Sequence, residues 1–162
     1  MRTRRITLAG ATIGALGLLG ALGVPAVAAA PARNCAVNLD TGATTCAGSE
    51  VEALREIGAQ ASLVIARTYD GANYTGTVLA WVQSRKCTPS YDAEWQWGDL
   101  RSTAAGDLNN RISSVRTYNQ CDVKLYDGLN FTGAASTWID ASANLANIGN
   151  GWSNRASSIK FS

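Results

Sequence analysis

The sequence predicts an all-β fold, a sandwich of two Greek-key motifs preceded by a short disulfide hairpin and one short helix. Three observations predict it. From residue 61 onward, β-branched and aromatic residues come in short runs separated by Gly, Asn, Asp and Ser, the pattern of strands between tight turns. An eight-residue phrase is written twice, as YDGANYTG at 69–76 and YDGLNFTG at 126–133, with six of eight letters shared at an offset of 57. A second phrase follows each copy, NNRISSVRTY at 109–118 and SNRASSIKFS at 153–162, at an offset of 44. The difference of thirteen places an insertion in the first copy, within SRKCTPSYDAEWQWGD at 84–99. A forty-residue sheet has one face with nothing to cover it, so two copies imply a packed pair.

The elements follow in chain order. Arg2, Arg4 and Arg5 precede a small-residue apolar run that closes on AVAAA. This reads as a secretory signal peptide over residues 1–28, cleaved after Ala28 or Ala30. Without it the charge is 11 basic against 12 acidic residues, a net −1, because three of the 14 Lys and Arg lie in the leader and none of the 12 Asp and Glu do. No Lys/Arg run remains, which argues against a nucleic-acid partner. Nothing in the remaining chain reads as a membrane anchor.

Residues 31–60 hold the hairpin and the helix. Cys35, Cys46, Cys87 and Cys121 all lie beyond the leader. An even count in an exported chain implies two disulfides, with three possible connectivities. CAVNLDTGATTC is nearly symmetric about Asp40 and Thr41, so a hairpin would oppose Cys35 to Cys46 and leave Cys87 with Cys121. In SEVEALREIG, Ser49 and Glu52 have capping-box spacing, Val51, Leu54 and Ile57 fall three apart, and Gly58 follows as a stop, which predicts one short helix across the end of the β body. The runs LVIARTY, TVLAWVQ, SVRTY, VKLY, STWI and SIKF read as strands, divided between motif one at 61–120 and motif two at 121–162. Trp81 and Trp138 align at the repeat offset and are expected in the core.

The spacing Tyr69, Tyr74, Gly76 and again Tyr126, Phe131, Gly133 resembles the folded first hairpin of βγ-crystallin motifs. In that family each Greek key also carries a loop of the form (Asn/Asp)-(Asn/Asp)-x-x-(Ser/Thr)-Ser. NNRISS at 109–114 matches it fully, and SNRASS at 153–158 departs at its first position. The resemblance covers about residues 61–162. The whole layout, leader and hairpin included, also looks like secreted proteins grouped with the family I36 peptidase inhibitors.

The resemblance implies calcium as cofactor and partner. Its ligands would come from Asn109, Asn110 and Ser113 in one loop and Ser153, Asn154 and Ser157 in the other, pooled with oxygens from the hairpin of the opposite motif. Ser114 and Ser158 would instead hold the hairpins. Neither loop contains a carboxylate, so a site made this way is weak, on the order of 10⁻⁵ to 10⁻³ M. Asp70 and Asp127 are the nearest candidates to add charge.

Enzymatic chemistry has little to work with. The chain has no histidine, which excludes Ser-His-Asp and Cys-His arrangements. Asp92 and Glu94, two apart, suit a charged loop edge better than a glycosidic acid pair. The expected function is that of a secreted, non-enzymatic calcium-binding module. The alternatives are a peptidase inhibitor using the Cys87 insertion against a secreted protease, and a surface adhesin or toxin-like protein that binds cell wall or glycan through Trp95 and Trp97.

Overall fold

A computed structural model describes residues 31–59, 62–106 and 108–162; the leader expected at 1–28 lies outside them. Nine strands and one helix are laid out as β1 Asn34–Asn38, β2 Thr44–Ala47, α1 Glu50–Glu56, β3 Leu63–Tyr69, β4 Val78–Gln83, β5 Trp95–Trp97, β6 Ser114–Thr117, β7 Val123–Tyr126, β8 Ala141–Ser142 and β9 Ser158–Phe161. They form a six-stranded sheet in the order β2-β1-β4-β3-β6-β8 and a three-stranded sheet in the order β5-β9-β7. This is the expected all-β sandwich of two Greek-key motifs.

The two motifs exchange their third strands. β5 of motif one pairs with β9 in the second sheet, and β8 of motif two pairs with β6 in the first. Each motif therefore completes the other's sheet. Between the sheets Trp81, Phe161, Ile65, Leu79, Leu125 and Ile159 are fully buried. Trp81 lies 5.1 Å from the Phe161 ring, and its indole N–H donates to Thr68 Oγ1 at 3.1 Å. A large side chain is thus buried with its one polar atom satisfied, worth about 3 kcal/mol of apolar transfer.

The N-terminal segment does not cap the end of the sandwich as expected. β1 adds to the edge of the first sheet, parallel to β4, and β2 pairs antiparallel to β1. α1 covers that sheet's outer face, where Ala53, Ile57 and Ala59 pack on Ala36, Ala80 and Val82. β4 is consequently buried on both faces. Leu79 and Trp81 face the main core while Ala80 and Val82 face the helix, which is why VLAWVQ lacks a polar alternation. Ser49 caps the helix by accepting the Glu52 N–H at 3.3 Å. Gly58 follows it at φ +71°, a left-handed helix end. Two disulfides, Cys35–Cys46 and Cys87–Cys121, brace the hairpin and the insertion.

Trp138 is not in the core. In motif one, Tyr69 pairs with Val78 and Ala66 with Trp81. In motif two the counterparts are Tyr126 with Ala135 but Val123 with Ile139, one residue further than the repeat offset places them. The extra residue is taken up at Ser136, whose hydroxyl accepts the Leu125 N–H at 2.9 Å. A one-residue slip reverses which side chain points inward. Ile139 becomes buried, and Trp138 lies half-buried beside Tyr91 and Lys124. For the same reason STWI forms isolated bridges in place of a ladder strand.

Candidate functional site

The repeated phrase builds a folded hairpin twice over. In motif one Asp70 Oδ1 accepts the Thr77 N–H at 2.7 Å, and Thr75 Oγ1 donates to the Ala72 carbonyl at 2.8 Å. Asn73 and Tyr74 sit at φ +56° and +61°, which turns the Tyr74 ring edge-on to Tyr69 at 5.7 Å. Gly76 lies at φ +82°, where a Cβ would overlap Asp70 Oδ1. Motif two repeats each contact. Ala134 N–H donates to Asp127 Oδ1 at 2.7 Å, Tyr126 meets Phe131 at 5.8 Å, and Gly133 at φ +75° faces Asp127 Oδ1.

The final serine of each loop pins this hairpin. Ser114 Oγ donates to the Gly71 carbonyl at 2.6 Å and accepts the Tyr74 N–H at 3.0 Å. Ser158 Oγ does the same with Gly128 at 2.7 Å and Phe131 at 3.0 Å. Both serines are fully buried, so each hydroxyl is used as donor and acceptor with no water to replace it.

The remaining loop residues meet across the pseudo-twofold between motifs. Asn110 and Asn154 both take φ +56°. The Asn110 N–H donates to the Ala156 carbonyl and the Asn154 N–H to the Ile112 carbonyl, each at 2.8 Å. Ser113 Oγ donates to Asn154 Oδ1 at 2.9 Å, and Ser153 Oγ lies 3.2 Å from Ser113 Oγ. Three of the six residues proposed from sequence as ligands, Ser113, Ser153 and Asn154, are therefore in direct contact. These cross-motif bonds run loop to loop, whereas Ser113 and Ser157 reach the hairpins of their own motifs, through N–H bonds to the Tyr69 and Tyr126 carbonyls at 2.8 and 2.7 Å.

Two residues that sequence reading passed over set the electrostatics. The third position of each loop is arginine, and each arginine holds the hairpin aspartate of its own motif: Arg111 to Asp70 at 2.8 Å and Arg155 to Asp127 at 2.9 Å. The Arg155 guanidinium keeps the Asp127 carboxyl below its ordinary range. The signal was present in the sequence, since Asp and Arg recur at matching places in both copies. Neither aspartate is left to bring negative charge to a cation. Among the described residues no group of three or more His, Cys, Asp or Glu is clustered to hold a metal.

The insertion uses its two tryptophans internally. Trp97 packs edge-on against Trp81 at 6.1 Å and donates to the Asp99 carbonyl at 2.8 Å. Trp95 lies under the Arg85 guanidinium at 4.1 Å and donates to Asp40 at 3.3 Å. Both are half-buried against the core, so they extend the sandwich. Glu94 accepts from the Thr88 N–H at 2.6 Å and from Arg85 at 2.5 Å. Burial opposes its ionisation, but these two partners outweigh that and hold its pKa low.

With this geometry in view, the class is a two-motif Greek-key sandwich with a folded hairpin in each motif. Residues 68–138 match the model of peptidase inhibitor family I36. No curated protein matches the chain. Among solved structures, it is similar to a βγ-crystallin domain from Flavobacterium johnsoniae at 24% identity, over 60% of this chain and 93% of that one, with a TM-score of 0.44. A βγ-crystallin domain from Clostridium beijerinckii is 21% identical over 60% and 95%, with a TM-score of 0.44. The N-terminal domain of protein S is 19% identical over 60% and 94%, also at 0.44.

Proposed function

We propose that this is a secreted, non-enzymatic module whose paired loops bind calcium weakly and gain stability from it. The observation that carries the reading is the convergence of Ser113, Ser153 and Asn154 from two motifs. Calcium accepts amide, hydroxyl and carbonyl oxygens in flexible geometry. Asn109, Asn110, Ser113, Ser153, Asn154 and Ser157 offer such donors, so the donor types fit. Charge limits the affinity: the donors are neutral, and the nearby Asp70 and Asp127 are paired with Arg111 and Arg155, so no net negative charge is added. That places binding at about 10⁻⁴ to 10⁻³ M, the range of extracellular modules. Two disulfides and the leader sequence support the extracellular setting.

Calorimetric titration with calcium against a magnesium control tests it. The expected result is weak heat specific to calcium, reduced in Ser113→Ala for the first loop and in Ser157→Ala for the second. At tenfold excess over Kd the melting transition should gain about 1.4 kcal/mol. No heat and no shift in melting at about 10 mM calcium would overturn the reading.

The family match favours a second reading, inhibition of a secreted peptidase. The match spans the insertion, whose residues 88–93 are exposed. That run is braced by the Cys87–Cys121 bond, by Glu94, and by Ser162 Oγ donating to the Ser90 carbonyl at 2.5 Å. A braced exposed segment loses little entropy on entering a cleft. Near-stoichiometric inhibition of a secreted metallo- or serine peptidase, abolished when 88–93 is replaced by glycine and serine, would establish this reading.

A further inference from the structure

The two motifs are not equally covered. In motif one the Asp70 N–H bonds to the Thr77 carbonyl, so the next residue, Val78, turns its own N–H and carbonyl away from β3. The β1 segment takes that edge: the Val78 N–H donates to the Arg33 carbonyl at 2.9 Å. In motif two the Asp127 N–H bonds to the Ala134 carbonyl and the Ser136 N–H to the Leu125 carbonyl. Ala135, the repeat counterpart of Val78, therefore also points its backbone outward. Among the described residues nothing pairs with it there, and Ala134, Ala135 and Thr137 are exposed.

The space beside that edge is likewise unfilled. In motif one, Cys35 and Val37 of β1 are buried in the core that Ala105 and Leu108 help to form, and β2 is tied to the same stretch by the Ala104 N–H on Thr44 Oγ1 at 2.9 Å. The stretch 148–152 is the counterpart in motif two, with Trp152 at the position of Leu108 by the offset of 44. Between it and 134–137 lies an open cavity of about 210 Å³, whose wall includes Ser136, Ile148, Trp152 and Arg155. The positive charge in that wall is already neutralised, because Arg155 is held by Asp127.

We propose that the edge at 134–137 accepts an extended peptide segment of a partner protein, parallel to it as β1 is to β4, with one apolar side chain seated in the cavity. Backbone pairing with Ala135 supplies affinity, and the Ile148–Trp152 wall selects a small apolar side chain at the place of Cys35, which pairs with Leu79, the counterpart of Ser136. The edge is uncharged and free of proline over 134–137, so of the devices that block strand addition it carries only its shortness and the bulge at Ser136. The inference does not depend on calcium.

A synthetic heptapeptide copying residues 33–39, with valine in place of the cysteine, is the first probe, with variants carrying Ile, Leu or Phe at that same position. The readout is amide proton exchange by NMR on the protein with both disulfides formed. Peptide binding should slow exchange at Ala135 about tenfold or more at saturation, with shifts at the Trp152 indole. Ala135→Pro removes the outward N–H at an edge position that tolerates proline and should weaken binding at least tenfold while exchange elsewhere is unchanged. Thr137→Lys, which keeps every N–H, should weaken it through edge charge. The proposal is overturned if no peptide of the set slows Ala135, or if Ala135→Pro and the parent respond alike. It is also overturned if the same amide becomes protected with rising protein concentration and no peptide, which would make a second copy the occupant.

Discussion

Asp70 and Asp127 each divide their two oxygens between closing a hairpin and holding an arginine. That division explains why glycine stands at 76 and 133. Each has positive φ, and a Cβ would collide with the aspartate oxygen that receives the turn N–H. Gly133→Ala should therefore cost about 1–3 kcal/mol from backbone strain, plus loss of the Asp127 bond, read as a fall in denaturation midpoint with unchanged slope. Ser114→Ala removes a fully buried hydroxyl that serves the part-buried Gly71 carbonyl and Tyr74 N–H, at a cost of about 1–3 kcal/mol. Its effect should also appear as faster exchange of the Tyr74 amide, whereas Ser113→Ala should leave that amide untouched.

Elements inherit these local devices, and the register of motif two depends on one of them. Ser136 supplies through its side chain the acceptor that Leu125 N–H would otherwise lack. Ser136→Ala should destabilise by about 1–3 kcal/mol and change the emission of Trp138, because losing the bulge favours the register in which Trp138 points inward. This is also where sequence reading fails. LVIARTY, VLAWVQ and SIKF carry strand chemistry in their own residues and were legible. So were the helix of Ser49 and Gly58 and the folded hairpins. The outward turn of Trp138 was not, since it depends on one hydroxyl replacing a backbone acceptor across a strand pair. The exchange of β5 and β8 between sheets and the parallel docking of β1 are equally long-range, and no period in the sequence encodes them. In the loops, residue types pointed to calcium, but the pairing of Asp70 and Asp127 with Arg111 and Arg155 decides the charge, and that pairing is spatial.

The whole molecule has an unusual acid–base inventory, since it contains no histidine. No side chain with an ordinary pKa between about 5 and 8 contributes, so stability should be nearly flat across that window. Below it, carboxylates of opposite sign compete. Asp127 is held low by Arg155, Asp99 by Arg101, and Glu94 by Thr88 and Arg85 against its burial. Groups with depressed folded values contribute stability above their unfolded values of about 4, and that stability is lost as pH falls through the folded values. Asp122 does the reverse. Burial raises it and the nearby Asp140 raises it further, so its ionised form costs stability at neutral pH and the cost disappears as it takes up a proton. Asp122→Asn, a neutral side chain of the same shape, should raise the melting temperature at about pH 7 and leave it unchanged at about pH 3.5, where Asp122 is already protonated. Paired thermal melts at the two pH values check this. A gain of equal size at both would assign the effect to packing and leave the Asp122–Asp140 repulsion without a role in stability.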